Sequence, residues 1–316
     1  MDDLAPVVII AGPTASGKTE IALKVAEMVN GEVINADSMQ VYAELCILTA
    51  RPVAADLARA PHHLFGILSA SERCSAGRWL NLAKAALADI HARGRLPVVC
   101  GGTGLYLKAL TDGLAAVPEV PDEMVAAITR HLDDVGGEAF RTELGAVDPD
   151  AAKRLPASDR QRLIRAAAVY AATGRTLSDW QREQTGEPGY PAKFYTVLLM
   201  PPRDEMYAAI DRRFDTMMEH GALDEARAFA ALDLPRDLPA SRAVGVAELL
   251  RTLNGEWDLE TAVSKAKTAS RHLAKRQVTW FKRQIRADLC VEEKFSERDE
   301  QKIFSFIRDF VLTLPP

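Results

Sequence analysis

The sequence predicts an α/β fold: a parallel sheet core flanked by helices, built around a phosphate-binding loop as in P-loop NTPases, with an inserted helical domain. Three observations carry this. The apolar run at 7–11 leads straight into Gly12-Pro13-Thr14-Ala15-Ser16-Gly17-Lys18-Thr19, and helical spacing follows at Ile21, Val25, Met28 and Val29. That order is strand, glycine-rich loop, helix. Two further short apolar runs, at 32–36 and 96–100, end in small or polar residues, as buried parallel strands do. From about residue 113 to 195, prolines and glycines punctuate short helical segments, and residues 194–200 then resume as an apolar strand. The expected division is a discontinuous core, 1–112 and 196–316, and an insertion, 113–195.

The bulk numbers limit the function. The chain has 316 residues, 48% hydrophobic and 26% charged, enough for a sizeable core. A net charge of −5 does not by itself suggest a nucleic-acid binder, so any basic surface must be local. Cys46, Cys74, Cys100 and Cys290 form no CxxC pair, which argues for reduced thiols and against a zinc site. No apolar run is long enough to cross a membrane, and Met1-Asp2-Asp3 is acidic where a secretory leader would be basic. A cytoplasmic protein is expected.

The loop itself predicts polyphosphate binding. Gly12 and Gly17 let consecutive N–H groups converge on an anion, and the next helix adds its N-terminal donors. Lys18 contributes a full charge, and the Thr19 hydroxyl can hold a magnesium ion. Asp37 follows the second strand, in Asp37-Ser38-Met39-Gln40-Val41-Tyr42. The carboxyl end of a parallel strand brings it toward the loop, where it could be a metal ligand, a general base or a helix N-cap. Pro61-His62-His63-Leu64 reads as a loop, and its adjacent histidines would point apart on an extended chain, which favours structural use over a metal site.

The third strand runs into Gly101-Gly102-Thr103-Gly104, where an ATPase usually offers an acid to its magnesium. Glycines and a threonine fit holding phosphates without hydrolysing them, and Thr103 can donate to a phosphate or a base. In the insertion, Ser158-Asp159-Arg160-Gln161 reads as a capping box opening a helix that carries Arg162 and Arg165 on one face. Near the C-terminus, residues 264–287 hold eight Lys/Arg and no acid, with Arg271, Lys275, Lys282 and Arg286 on one face. Like charges so spaced destabilise a lone helix, so an RNA or DNA backbone is the expected partner. Trp280 and Phe281 could stack on bases or pack in the core.

Taken in order, GPTASGKT, DSMQVY, GGTGLY, DRQRLIRA and AKRQVTWF closely resemble the bacterial tRNA dimethylallyltransferase family, from residue 12 to about 283. The resemblance implies transfer of a dimethylallyl group from dimethylallyl diphosphate to the exocyclic amine of the adenosine just 3′ of the anticodon, with Mg2+ as cofactor. It implies that Gly12 and Thr14 to Thr19 (Thr14, Ala15, Ser16, Gly17, Lys18, Thr19) and Arg213 bind the diphosphate. Asp37 would act as general base, aided by Lys18 and Thr19, with Thr19 on the metal. It assigns the RNA to Asp37, Ser38, Met39, Gln40, Thr103, Gln161, Arg162, Leu163, Ile164, Arg165 and Arg242, and to Lys275, Arg276 and Lys282 on the basic helix. The inserted domain would close on the anticodon stem. A monomer with no membrane association is expected, and a phosphate-binding loop of this type also suits ATP. Val246 and Ala247 depart from the family's usual tyrosine and arginine after Arg242-Ala243-Val244-Gly245. Two other readings share some features: a nucleoside kinase, disfavoured by the missing acid and the basic helix, and a non-catalytic RNA-binding module, disfavoured by intact Lys18, Thr19 and Asp37.

Overall fold

A computed structural model describes residues 4–183, 186–293 and 297–312; the acidic start at 1–3 lies outside them. The chain forms two compact units, residues 1–111 with 188–316, and 112–187.

The first unit is built on a six-stranded sheet in which every pair is parallel. Its strands are β1 (Pro6–Ala11), β2 (Glu32–Asn35), β3 (His62–His63), β4 (Pro97–Gly101), β5 (Lys193–Leu199) and β6 (Leu289–Val291), in the order β3-β2-β4-β1-β5-β6. β1 is central, with Ile10 beside Cys100 of β4 and Val197 of β5. The two-residue period of a strand splits its side chains. Val7, Ile9 and Ala11 enter one core layer, and Val8 and Ile10 the other. Both faces of the sheet are therefore covered, and the expected α/β fold is the one adopted.

Fourteen α-helices lie among the described residues. The first unit begins with α1 (Lys18–Val29), α2 (Ala54–Leu57), α3 (Ala76–Ala92) and α4 (Gly104–Asp112). Ser75 caps α3 by accepting the Arg78 N–H, and Gly94, at φ 67°, follows its end. The second unit holds α5 (Asp122–Val135), α6 (Gly137–Val147), α7 (Pro149–Arg154), α8 (Arg160–Thr173) and α9 (Leu177–Arg182), around a small core of Leu132, Phe140, Leu144, Leu155 and Leu163. The chain returns with α10 (Arg203–Glu219), α11 (Ala222–Ala230), α12 (Val246–Leu253), α13 (Leu259–Gln284) and α14 (Glu297–Leu312).

Four details differ from the sequence reading. The helical unit ends near Glu187 rather than at 195, because residues 188–192 pack with the sheet-bearing unit and β5 starts at Lys193. The His62–His63 segment is a short edge strand, not a loop. β6, an additional edge strand, has too few residues to show a period. The N-cap of α8 is Asp159, whose carboxylate accepts the Arg162 N–H, so the capping box read at Ser158 and Gln161 does not form.

Candidate active site at the phosphate-binding loop

The loop between β1 and α1 is wound tightly enough to need its glycines. Gly17, the residue before α1, stands at φ 83°, and Ala15 also takes a left-handed φ of 61°. A Cβ on Gly12 would stand 2.6 Å from Ser16 Oγ and 2.8 Å from the Leu199 carbonyl. The winding exposes the α1 N-terminus and buries Ser16 Oγ with no hydrogen-bond partner. A buried hydroxyl left so is costly, and a phosphate oxygen would satisfy it. The Lys18 ammonium donates to the Pro13 carbonyl (3.1 Å), and the Arg213 guanidinium on α10 donates to the Thr14 hydroxyl.

Burial pushes both cations below their ordinary pKa values. For Lys18 the charge of Arg213 pushes the same way, while the Asp37 carboxylate opposes it; for Arg213, Asp37 again opposes burial. Two desolvated cations side by side favour an anion between them. Asp37 lies within electrostatic reach of both. Cys100, buried beside them, has its thiol pushed up to about 12 by burial, which keeps it neutral and unreactive.

Asp37 is placed by the end of β2. Asn35, buried, accepts the Asp37 N–H on Oδ1 (2.8 Å) and donates from Nδ2 to the Asp37 and Leu64 carbonyls (both 3.0 Å). The Asn35 carbonyl in turn accepts the Trp79 indole N–H (2.8 Å), and Trp79 stacks on Tyr106. Asp37 Oδ1 accepts the Met39 N–H (2.9 Å) in an Asx turn; after β2 no helix begins before Ala54, so the helix N-cap role open from the sequence is not the one adopted. Thr103 Oγ1 accepts the Ser38 N–H (2.9 Å) and donates to Ser38 Oγ (3.2 Å), while Thr103 N–H donates to the Ala36 carbonyl (3.1 Å). The 101–104 loop can lie this close only without side chains. A Cβ at Gly101 would collide with the Ala36 backbone, and one at Gly104 with the Trp280 ring.

The RNA-assigned residues divide. Gln161, Arg162 and Arg165 are exposed on α8, with Arg162 also paired to Asp159 (3.1 Å). Leu163 is a correction: it is fully buried in the core of the helical unit, and Ile164 packs against that core, so these two support α8 rather than face RNA. Gln40 donates from its amide to the Thr49 and Ala50 carbonyls (2.8 and 3.0 Å), and Met39 packs against the main core; both shape the loop after Asp37. Arg242 is exposed in a short 3-10 turn, Ala240–Arg242.

On α13, Lys275, Arg276 and Lys282 are exposed as read. Arg271 is a second correction. It pairs with Asp211 (3.3 Å), and Lys267 with Asp215 (2.6 Å), so α10 supplies part of the negative charge that the basic helix requires. Arg286 lies past the end of α13. Lys275 and Lys282 join Arg203, Met206 and Tyr207 around a cleft of about 340 Å³ at the end of β5. Phe281 is core, and Trp280 packs between core and the Gly104 turn.

Two contributors were missed. Gln277 bonds the phosphate-binding loop and the 101–104 loop at once. It is the uncharged residue after Lys275-Arg276, inside one of the most specific motif stretches. Glu225 on α11 accepts the N–H groups of Cys46, Ile47 and Leu48 (2.7–2.8 Å) and so anchors the loop that follows Asp37. A lone glutamate on an amphipathic helix gives no such signal.

Among the described residues no group of three or more His, Cys, Asp or Glu could hold a metal ion. At the loop the Thr19 hydroxyl is the protein donor open to a cation. That donor fits a hard divalent ion completed by phosphate oxygens and water, not an all-protein cage. No helix among the described residues is long and apolar enough to cross a membrane.

The family model described as IPP transferase matches residues 40–284, and that described as isopentenyl transferase matches residues 5–63. The chain is 48% identical to a tRNA dimethylallyltransferase of Rhodospirillum rubrum, over 98% of this chain and 96% of the relative. It is 46% identical to one of Maricaulis maris, over 99% and 100%. The crystal structure of a tRNA isopentenylpyrophosphate transferase from Bacillus halodurans superposes with a TM-score of 0.71 at 32% identity, covering 97% of this chain and 96% of that one. A eukaryotic dimethylallyltransferase acting on tRNA superposes with a TM-score of 0.84 at 27% identity, covering 98% of this chain and 80% of its own. The chain belongs to the IPP transferase family.

Proposed function

We propose that this site moves a dimethylallyl group from dimethylallyl diphosphate to the exocyclic amine of the tRNA adenosine immediately 3′ of the anticodon, releasing diphosphate. The chain is a tRNA dimethylallyltransferase in fold and family. The observation that carries the assignment of residues is geometric: Lys18 and Arg213 both bond the loop after β1, and Asp37 follows the end of the parallel strand β2, within electrostatic reach of both cations.

An allylic carbon–oxygen bond breaks readily when the leaving charge is neutralised. Lys18, Arg213 and the N–H groups of Gly17, Lys18 and Thr19 at the α1 N-terminus do this, with Ser16 Oγ and the Thr14 hydroxyl as further donors, while the Thr14 N–H is held by Gln277. A divalent cation, magnesium in our reading, would be held by Thr19 with the diphosphate oxygens, and supplies additional charge neutralisation. The amine nitrogen attacks the allylic C1 as the bond from C1 to the diphosphate oxygen breaks. Asp37 takes the amine proton on Oδ2, because Oδ1 is held by the Met39 N–H. Thr103 and Ser38, hydrogen-bonded beside Asp37, suit the approach of the adenine.

The RNA meets groups that the fold leaves exposed: the cations Lys275, Arg276 and Lys282 on α13, Arg242, and Arg162 and Arg165 on the helical unit, with the neutral amide of Gln161. Action on tRNA supports a cytoplasmic setting. The test is mass spectrometry of tRNA from cells lacking this chain. Loss of the isopentenyl group from the adenosine 3′ of the anticodon, restored by the wild-type gene and not by Asp37→Ala, is expected. An unchanged modification level contradicts the reading.

A further inference from the structure

Gln277 stands on α13 between the two loops that the transfer must hold together. Its Oε1 accepts the Thr14 N–H (2.8 Å), and its Nε2 donates to the Gly102 carbonyl (2.9 Å). Both ends of one amide are engaged, each in its proper sense. The fit is close: a Cβ on Gly102 would stand 2.6 Å from Gln277 Nε2. One turn along α13, Trp280 occupies the space that a side chain at Gly104 would need.

The bonds continue on both sides. Thr14 is held through its hydroxyl by Arg213, which belongs to the diphosphate seat. Beyond Gly102, Thr103 accepts the Ser38 N–H, next to Asp37. A continuous path therefore runs from Arg213 through Thr14, Gln277, Gly102, Thr103 and Ser38 to Asp37. Gln277 is the side chain in that path that spans from one loop to the other.

We infer that Gln277 is a positioning residue for the transfer: its amide fixes the diphosphate loop against the Thr103 loop, and so sets where the general base stands relative to the leaving group. The inference rests on the prenyl-transfer reading above. Misplacing reacting groups by about 1 Å costs on the order of 100-fold in rate, so a residue that touches neither substrate can still govern kcat.

Two variants test it, each assayed for label transfer from dimethylallyl diphosphate to tRNA beside the wild type. Gln277→Met keeps length and bulk but loses both hydrogen bonds. Its kcat should fall about 10- to 100-fold, with KM for tRNA within about threefold of wild type and the thermal midpoint within about 3 °C. Gln277→Glu keeps an acceptor for Thr14 but turns carboxylate lone pairs toward the Gly102 carbonyl, and protonation restores the donor. The ratio of its kcat to the wild-type kcat should therefore rise by at least about threefold between pH 8 and pH 6, because partial burial against the Gly102 carbonyl raises that carboxyl's pKa against the opposing pull of Arg213 and Lys18 on the other side of Thr14. A residue that only fills space gives a flat ratio. Wild-type kcat in Gln277→Met, or a pH-independent Gln277→Glu deficit, overturns the positioning role. If the wild-type chain itself transfers no label, it is the prenyl-transfer reading that fails.

Discussion

Asn35 grips Asp37 by its backbone on both sides, and this leaves the carboxylate as the reactive feature of an otherwise rigid turn. The turn bond to the Met39 N–H uses one oxygen only. Replacing Asp37 by Ala should therefore remove turnover far more than binding: kcat should drop about 100-fold or more, the range of a positioned general base, while the dissociation constant for tRNA changes less than about threefold. Filter binding and single-turnover transfer measure the two separately. At the donor seat, Arg213→Gln should raise KM for dimethylallyl diphosphate and lower kcat, since the charge acts on the leaving group in ground and transition states alike. At this scale the sequence was legible where chemistry fixes residue type and spacing, as in Gly12 to Thr19 and Asp37. It was not legible for Leu163. A leucine between arginines on α8 says nothing of which way it faces until the partner helices are known.

β2 shows how an element is held so that its far end can work. Its first residue, Glu32, is fully buried and bound by Arg93, Arg95 and His63. The Arg93 bond, ahead of His63, holds its carboxyl well below the ordinary value of 4.5, at about 2. A depressed carboxyl stabilises the fold above its unfolded pKa, and that stability is lost as pH falls through the folded one. The Glu32 contribution, about 3 kcal/mol at most, should be constant from pH 8 to 5 and decline from about 4.5 toward 2. Glu32→Gln should thus lower the thermal midpoint at neutral pH, and the gap to wild type should narrow in acid; an equal gap at pH 3 and pH 7 would count against the ion-pair account. α13 makes a related point. Its run of basic residues was plain in the sequence, but its acidic partners were not, because Asp211 and Asp215 lie on α10, some fifty residues away in the chain. Ion pairing across helices depends on packing, which periodicity alone does not give.

Across the whole molecule, the parallel sheet could be read from four apolar runs and one loop motif, while its two edges, β3 and β6, could not, being too short to show a period. The sheet places the diphosphate loop, the Asp37 turn and the 101–104 loop at the carboxyl ends of β1, β2 and β4, where ligands of open α/β sheets bind. In a chain of net charge −5, RNA affinity should depend on a few local cations. Neutralising Lys275, Arg276 and Lys282 together should weaken tRNA binding and reduce the slope of log K against log salt by about 2, at 0.7–0.9 per phosphate contact. A slope equal to wild type would remove α13 from the interface. The central claim is that a loop built for polyphosphates here serves prenyl transfer, and it is tested most directly with the purified chain, unmodified tRNA and isotope-labelled dimethylallyl diphosphate. Label entering the RNA with equimolar release of diphosphate, abolished by Lys18→Ala and Asp37→Ala, is the result required. Absence of label from the RNA, with phosphate passing from ATP to a nucleoside instead, would contradict it.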